Sequence, residues 1–193
     1  MVIQISDRIV NIVHYYVVHR LIAMDGIMYF GTITGSLERI FTGYSGQKPY
    51  KKTLDKAGAL LYAIVHGHSF SDGNKRTGLL TTYLFLMYNG YALFVPEKTT
   101  KFLERMADAL DPDAPTEEDA IRWVHRNART SVGPKIISAS LTFYCRIWGT
   151  RLLEAMTKNI LEQNALPGID KEKLIDRSLK KPNSPAITCA EDQ

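Results

Sequence analysis

The chain has 193 residues, of which 45% are hydrophobic and 23% charged, so it holds one domain, or one domain with an appended helical piece, and neither two large domains nor a disordered or fibrous chain. No uncharged apolar run approaches the roughly 18–20 residues needed to span a bilayer, and Asp7 and Arg8 stand where a signal peptide would be most apolar; the expectation is a soluble, cytoplasmic protein with no membrane partner. The formal net charge of +4 lies in the first half, with 10 Lys/Arg against 6 Asp/Glu in residues 1–100 and 14 against 14 in residues 101–193. This tilt suits an anionic ligand but is too small to argue for direct nucleic-acid binding. Cys145 and Cys189 make no disulfide framework.

Ser6 followed by Ile9, Ile12, Val13, Tyr16, Val17 and Ile22 predicts a capped amphipathic helix. Residues 25–49 hold Gly26, Gly31, Gly35, Gly43, Gly46 and Pro49, and read mostly as loop except for the short ITGSLERIF piece. From Thr53, the apolar positions Leu54, Ala57, Leu60, Leu61, Ile64 and Val65 predict a helix up to Gly67. A second, strongly apolar helix is expected from about Lys75 to Tyr88, ended by Asn89-Gly90, with Tyr83, Phe85, Tyr88 and Tyr91 as core aromatics. Thr99 or Thr100 is read as the cap of a helix through Met106 and Leu110, and Thr116 opens another with Ile121, Trp123 and Val124. Residues 131–166 read as helical again, 170–180 as a short charged helix with a solvated face, and Lys181 to Gln193 as a disordered tail.

Between the two apolar helices lies the polar turn HSFSDGNKR, residues 68–76. A helix starting just after Gly73 aims its unbonded N–H groups and the positive end of its dipole into the turn, which is an anion site that Lys75 and Arg76 strengthen. Asp72 beside it suits Mg²⁺ bridging phosphate oxygens, which implies a metal-nucleotide. His68 is of the residue type that accepts a proton from an incoming hydroxyl as a general base. Other readings of the same residues stay open: Asp72 or Asn74 as a helix cap, and His66, His68 and Asp72 as ligands of a zinc hydrolase. His66 also reads as a packed or capping histidine, while His14, His19 and His125 read as surface or satisfied structural residues.

HSFSDGNKR resembles the motif of the Fic/Doc (Fido) family, H-x-F-x-(D/E)-G-N-(G/K)-R, with every defined position filled. The resemblance extends more loosely through the flanking helices and the upstream GTITGSLERIFTG. It implies an all-α, Fido-type helical bundle with a short flap or loop region and a catalytic domain over 1–130; residues 131–193 add nothing to the resemblance and read, from their own pattern, as a C-terminal helical extension over 131–180 and a tail over 181–193. It also implies an enzyme that uses ATP and Mg²⁺ to modify a hydroxyl side chain of a target protein. Carried over, His68 is the base, Phe70 the apolar plug of the loop, Asp72 the Mg²⁺ ligand, Gly73 and Asn74 the anion hole, and Arg76 the partner of a terminal phosphate. Lys75 stands where AMP-transferring members have a second glycine. Members with lysine resemble the death-on-curing branch, in which the γ-phosphate is presented, so the resemblance favours phosphoryl transfer, with AMP transfer and an inert nucleotide-binding relative as alternatives. Ser69 departs from a common proline. The substrate-pairing flap is sought within Gly31–Tyr44.

The same resemblance raises inhibition by a separate antitoxin chain, or by a glutamate in an (S/T)-x-x-x-E-(G/N) motif that pairs with the motif's arginine. Two incomplete copies exist, from Thr34 to Glu38 and from Thr150 to Glu154, both lacking the final Gly or Asn.

Overall fold

A computed structural model describes residues 2–21, 30–43, 49–136 and 155–160. Its elements in chain order are α1 (Asp7–Leu21), α2 (Phe30–Phe41), α3 (Thr53–His66), α4 (Asn74–Tyr88), β1 (Tyr91–Leu93), α5 (Thr99–Ala107), α6 (Glu117–Asn127) and β2 (Ala128–Thr130). The expected all-α class is borne out, with short helical stretches also at 132–136 and 155–160.

α4 is the centre of the bundle. Its run from Thr77 to Tyr88 has no polar face, and every residue in it is buried, as a helix apolar all round must be. α3 packs along α4 and also along α6, while α1 covers another side of α4. α1 begins where the Ile9 N–H donates to Ser6 Oγ at 3.4 Å. At the far end of α4, the Asn89 amide accepts from the Ile3 N–H at 2.8 Å and donates to the Ile3 carbonyl at 2.9 Å. A side-chain amide there does the work of a strand neighbour and ties the N-terminal segment to the central helix.

The α3–α6 crossing is close because of Gly58. A Cβ on this residue would lie 2.3 Å from the Ile121 Cα and 2.7 Å from the Ile121 backbone N, so the two helices approach backbone to side-chain-free backbone. Beside this crossing the Asp55 carboxylate meets His125 Nε2 at 2.8 Å. Gly58→Ala is expected to lower stability, because overpacking costs about 1–3 kcal/mol and alanine's helix propensity returns only about 1 kcal/mol. Gly35→Ala on α2, where a Cβ meets nothing within 4 Å, keeps only the propensity gain and should raise stability. Thermal melts of the pair check this: a Gly58→Ala midpoint at or above that of Gly35→Ala would refute the close crossing.

Several local expectations are corrected. The ITGSLERIF piece, excepted from the loop reading of residues 25–49, lies within α2, which starts three residues earlier at Phe30; Ile33, Leu37, Ile40 and Phe41 line one buried helical face, and packing of that face outweighs the two glycines. Nearly all of the Gly31–Tyr44 range proposed for a flap is therefore helix. Neither Thr99 nor Thr100 caps α5: Lys98 is the N-cap and makes no side-chain cap bond, and Thr99 is the first helical residue. That helix stops at Ala107 instead of reaching Leu110, because Asp108 Oδ1 accepts from the Leu110 N–H at 3.0 Å and turns the chain. Thr116 does cap α6, in a box with Asp119 whose hydrogen bonds from Thr116 and Arg122 hold its carboxyl down at about 2. The antiparallel pair β1–β2, with Tyr91 opposite Thr130 and Leu93 opposite Ala128, was not expected.

Of the extension beyond residue 130, the 155–160 helical turn is seen to dock. Met156 and Ile160 pack on the core, and buried Thr157 shares a 2.8 Å hydrogen bond with the Tyr88 hydroxyl. Burial pushes that phenol up to about 12. Cys145, Glu154, Cys189, the 170–180 helix and the 181–193 tail lie outside the described residues. No described helix is long and apolar enough to cross a membrane.

Candidate active site

The turn between α3 and α4 starts at Gly67, whose N–H donates to the Ala63 carbonyl at 3.2 Å and ends α3. His68 follows with φ of 44° and is the described non-glycine residue in the left-handed region. Its imidazole is exposed. For a residue with a Cβ this conformation costs on the order of 1–3 kcal/mol and persists only where neighbours impose it. Gly73, at φ 79° and ψ 2°, is the N-cap of α4, and a side chain there would add about 1–2 kcal/mol.

Two interactions impose the shape between these points. Phe70 is buried and its ring stacks on His14 of α1, with centroids 3.7 Å apart and planes within 12°. Its backbone is gripped by Asn74, whose Oδ1 accepts from the Phe70 N–H at 3.0 Å while Nδ2 donates to the Phe70 carbonyl at 2.7 Å. The amide at the start of α4 thus repeats the device that Asn89 uses at its end. Phe70 is the plug that the resemblance implied. The Asn74 side chain is committed to the loop, which leaves its backbone N–H facing the turn.

The first helical bond of α4 runs from the Thr77 N–H to the Gly73 carbonyl at 2.8 Å. The N–H groups of Asn74, Lys75 and Arg76 therefore precede the helical ladder and face the turn, together with the positive end of the dipole. Asp72 is half-buried, and the Gly73 N–H donates to its Oδ1 at 2.6 Å, which orients the carboxylate. Lys75 is exposed and Arg76 half-buried. Ser69, in place of the common proline, is fully buried, and its hydroxyl has no hydrogen-bond partner among the described residues.

The zinc-site reading fails on geometry. His66 Nδ1 is hydrogen-bonded to the Met106 carbonyl at 3.2 Å and its ring stacks on Tyr62, as expected of a packed histidine. Among the described residues no three His, Cys, Asp or Glu side chains converge. Of the inhibitory candidates, Thr34 and Glu38 are both exposed on α2, and no described ion pair involves Glu38.

Sequence reasoning missed two features. His14 is a satisfied structural histidine, one of the two readings given, buried and hydrogen-bonded to Thr77; what the sequence did not show is its place beneath the turn, against Phe70. Arg39, Tyr50 and Glu117 form a network joining α2 and α6: Arg39 Nη2 donates to Glu117 Oε2 at 2.9 Å, Arg39 Nη1 donates to the Tyr50 hydroxyl, and that hydroxyl donates to Glu117 Oε1. Burial, then the Glu117 contact, pushes the Tyr50 phenol up to about 12. The residues are 11 and 78 positions from Arg39, a separation that carries no periodic signal.

Known proteins share features with this chain around the turn. The sequence profile of the Fic/DOC family matches residues 28–86. A protein named Toxin Doc from Mycolicibacterium smegmatis is 34% identical over 64 residues, which are 33% of this chain and 49% of that protein. The chain thus spans about half the length of the curated relative it matches. The profile match includes the whole His68–Arg76 turn, all of α3 before it and α4 up to residue 86. Both comparisons fall on the family that the nine-residue motif resembles: the Fic/DOC likeness covers residues 28–86, the turn included.

Proposed function

We propose that this chain is a protein-modifying transferase that moves the γ-phosphoryl group of ATP onto a hydroxyl side chain of a target protein. The observation that supports this best is the constrained turn, which presents an exposed imidazole at one end and the N-terminus of a buried helix at the other. In the proposed reaction the target hydroxyl oxygen attacks the γ-phosphorus. The bond from that phosphorus to the β,γ-bridging oxygen breaks and ADP departs with the electron pair. His68 takes the hydroxyl proton. The N–H groups of Asn74, Lys75 and Arg76 receive phosphate oxygens, and the Arg76 guanidinium balances the terminal phosphate.

Asp72 is the residue that would hold Mg²⁺. One oriented carboxylate fits an ion that takes most of its ligands from phosphate and water. When bound, that ion supplies charge neutralisation across the phosphate oxygens. The name of the M. smegmatis relative, Toxin Doc, supports reading this chain as the toxin of a toxin–antitoxin pair, with a separate antitoxin chain as its partner.

AMP transfer from the same turn is the second reading. Lys75 argues against it by standing where a glycine would leave room for the α- and β-phosphates; its exposure argues for it, since a long side chain in solvent can move aside. Incubating the protein with a cell lysate and γ-labelled or α-labelled ATP distinguishes the readings. Protein-bound γ-label supports phosphoryl transfer, α-label replaces it with AMP transfer, and no label leaves an inert binder. Lys75→Gly is expected to shift label from the γ- toward the α-phosphate, because the width of the cradle selects which phosphorus faces the attacking oxygen. An unchanged label ratio would show that Lys75 does not set the choice.

A further inference from the structure

We propose that His14 is a positioning residue for the motif turn, seating Phe70 against its ring and tying that seat to the first turn of α4 through Thr77. The proposal rests on the transferase reading for its catalytic consequence but has a structural consequence of its own. His14 sits in α1 among Val10, Val13 and Val17, all fully buried. An imidazole in such a stripe loses hydration and needs a hydrogen bond in return. It has one: Nδ1 and the Thr77 Oγ1 are 3.2 Å apart, and Thr77 is itself fully buried.

The two contacts fall on either side of Gly73. Phe70, three residues before it, meets the face of the ring. Thr77, four residues after it, meets the edge and closes the first helical bond of α4 on the Gly73 carbonyl. His14 therefore spans the left-handed corner from beneath. A leucine could fill the volume, but it has neither a flat face for Phe70 nor a polar atom for Thr77. Asn74 holds the Phe70 backbone and His14 holds its ring; together they over-determine a turn containing two left-handed residues, His68 and Gly73. Releasing the ring lets the turn relax, which displaces the His68 imidazole from the phosphate-facing N–H groups.

The test compares His14→Ala with Val13→Ala, a truncation at the neighbouring buried position of α1, and with His14→Phe, which keeps the flat face. Native-state amide exchange is read at Phe70, whose N–H bonds to Asn74, and at Leu61 in the α3 core. His14→Ala is expected to speed Phe70 exchange at least about tenfold more than Leu61 exchange, while Val13→Ala shifts both alike. His14→Phe should restore Phe70 protection to within about threefold of wild type. In the transfer assay His14→Ala should lower kcat at least about tenfold with KM for ATP changed less than about threefold, and Val13→Ala should leave kcat within about threefold. Equal acceleration at Phe70 and Leu61, or the same kcat loss in Val13→Ala, overturns the proposal. If wild type transfers no label, the transferase reading falls and the exchange comparison alone decides the role of His14; if His14→Ala does not fold, the decision passes to His14→Phe, where Phe70 exchange sped like that of a free loop overturns it.

Discussion

His68→Ala is expected to lower label transfer by about 10²–10⁴-fold, the usual contribution of a general base, while ATP affinity stays within about threefold. The two effects separate because the imidazole and the phosphate-binding groups are different parts of the turn. His68 is exposed at its start, whereas the N–H groups that would hold phosphate belong to α4. Removing the ring takes away the proton acceptor and leaves the helix terminus intact. Alanine at φ 44° keeps the Cβ strain that histidine already carries, so little change in stability accompanies the kinetic one. The measurement is single-turnover transfer beside equilibrium nucleotide binding. Transfer at the wild-type rate under saturating ATP would remove His68 from the chemistry, and a large loss of affinity would mean that it binds nucleotide instead.

Asn74→Ala has the second large expected effect, and it acts through the fold. The Asn74 amide satisfies both the N–H and the carbonyl of buried Phe70. Alanine leaves both groups without that partner, at about 1–3 kcal/mol each when they stay buried. Water reaching the loop would recover part of this, so a net loss of about 2–4 kcal/mol is expected from denaturant melts. Transfer should fall as well, because the segment joining His68 to Asp72 is no longer held. The change is therefore distinct from His68→Ala, which alters rate with little change in stability. An Asn74→Ala protein with an unchanged denaturation midpoint would show that the amide does not hold the loop, and Asn74 would revert to a plain helix-start residue.

The expected helices α1, α3 and α6 were legible because each spans at least eleven residues, long enough for an apolar period to repeat, and α4 because its unbroken apolar run is too long for a strand and ends at Asn89-Gly90. α2 was only half legible: Ile33, Leu37, Ile40 and Phe41 keep the period, but Gly31 and Gly35 in the same stretch read as breaks. Strands of three residues, as in β1 and β2, carry no period at all, and their pairing joins segments more than thirty residues apart.

Within the site, the division has a similar cause. The motif is contiguous, so His68, Asp72, Gly73, Asn74, Lys75 and Arg76 could be named, and the family resemblance read, from nine successive letters. The sequence by itself thus determined the helical class, the place of the turn and the residue types in it. Only the tertiary structure decided how the turn keeps its shape: that the Asn74 side chain faces Phe70 and not the cradle, that His14 lies beneath the plug, and that Arg39, Tyr50 and Glu117 meet. The physical reason is that a hydrogen bond or ring contact depends on separation in space. Residues 56 or 78 positions apart come within bonding distance only through the packing of whole helices, and no local spacing records that.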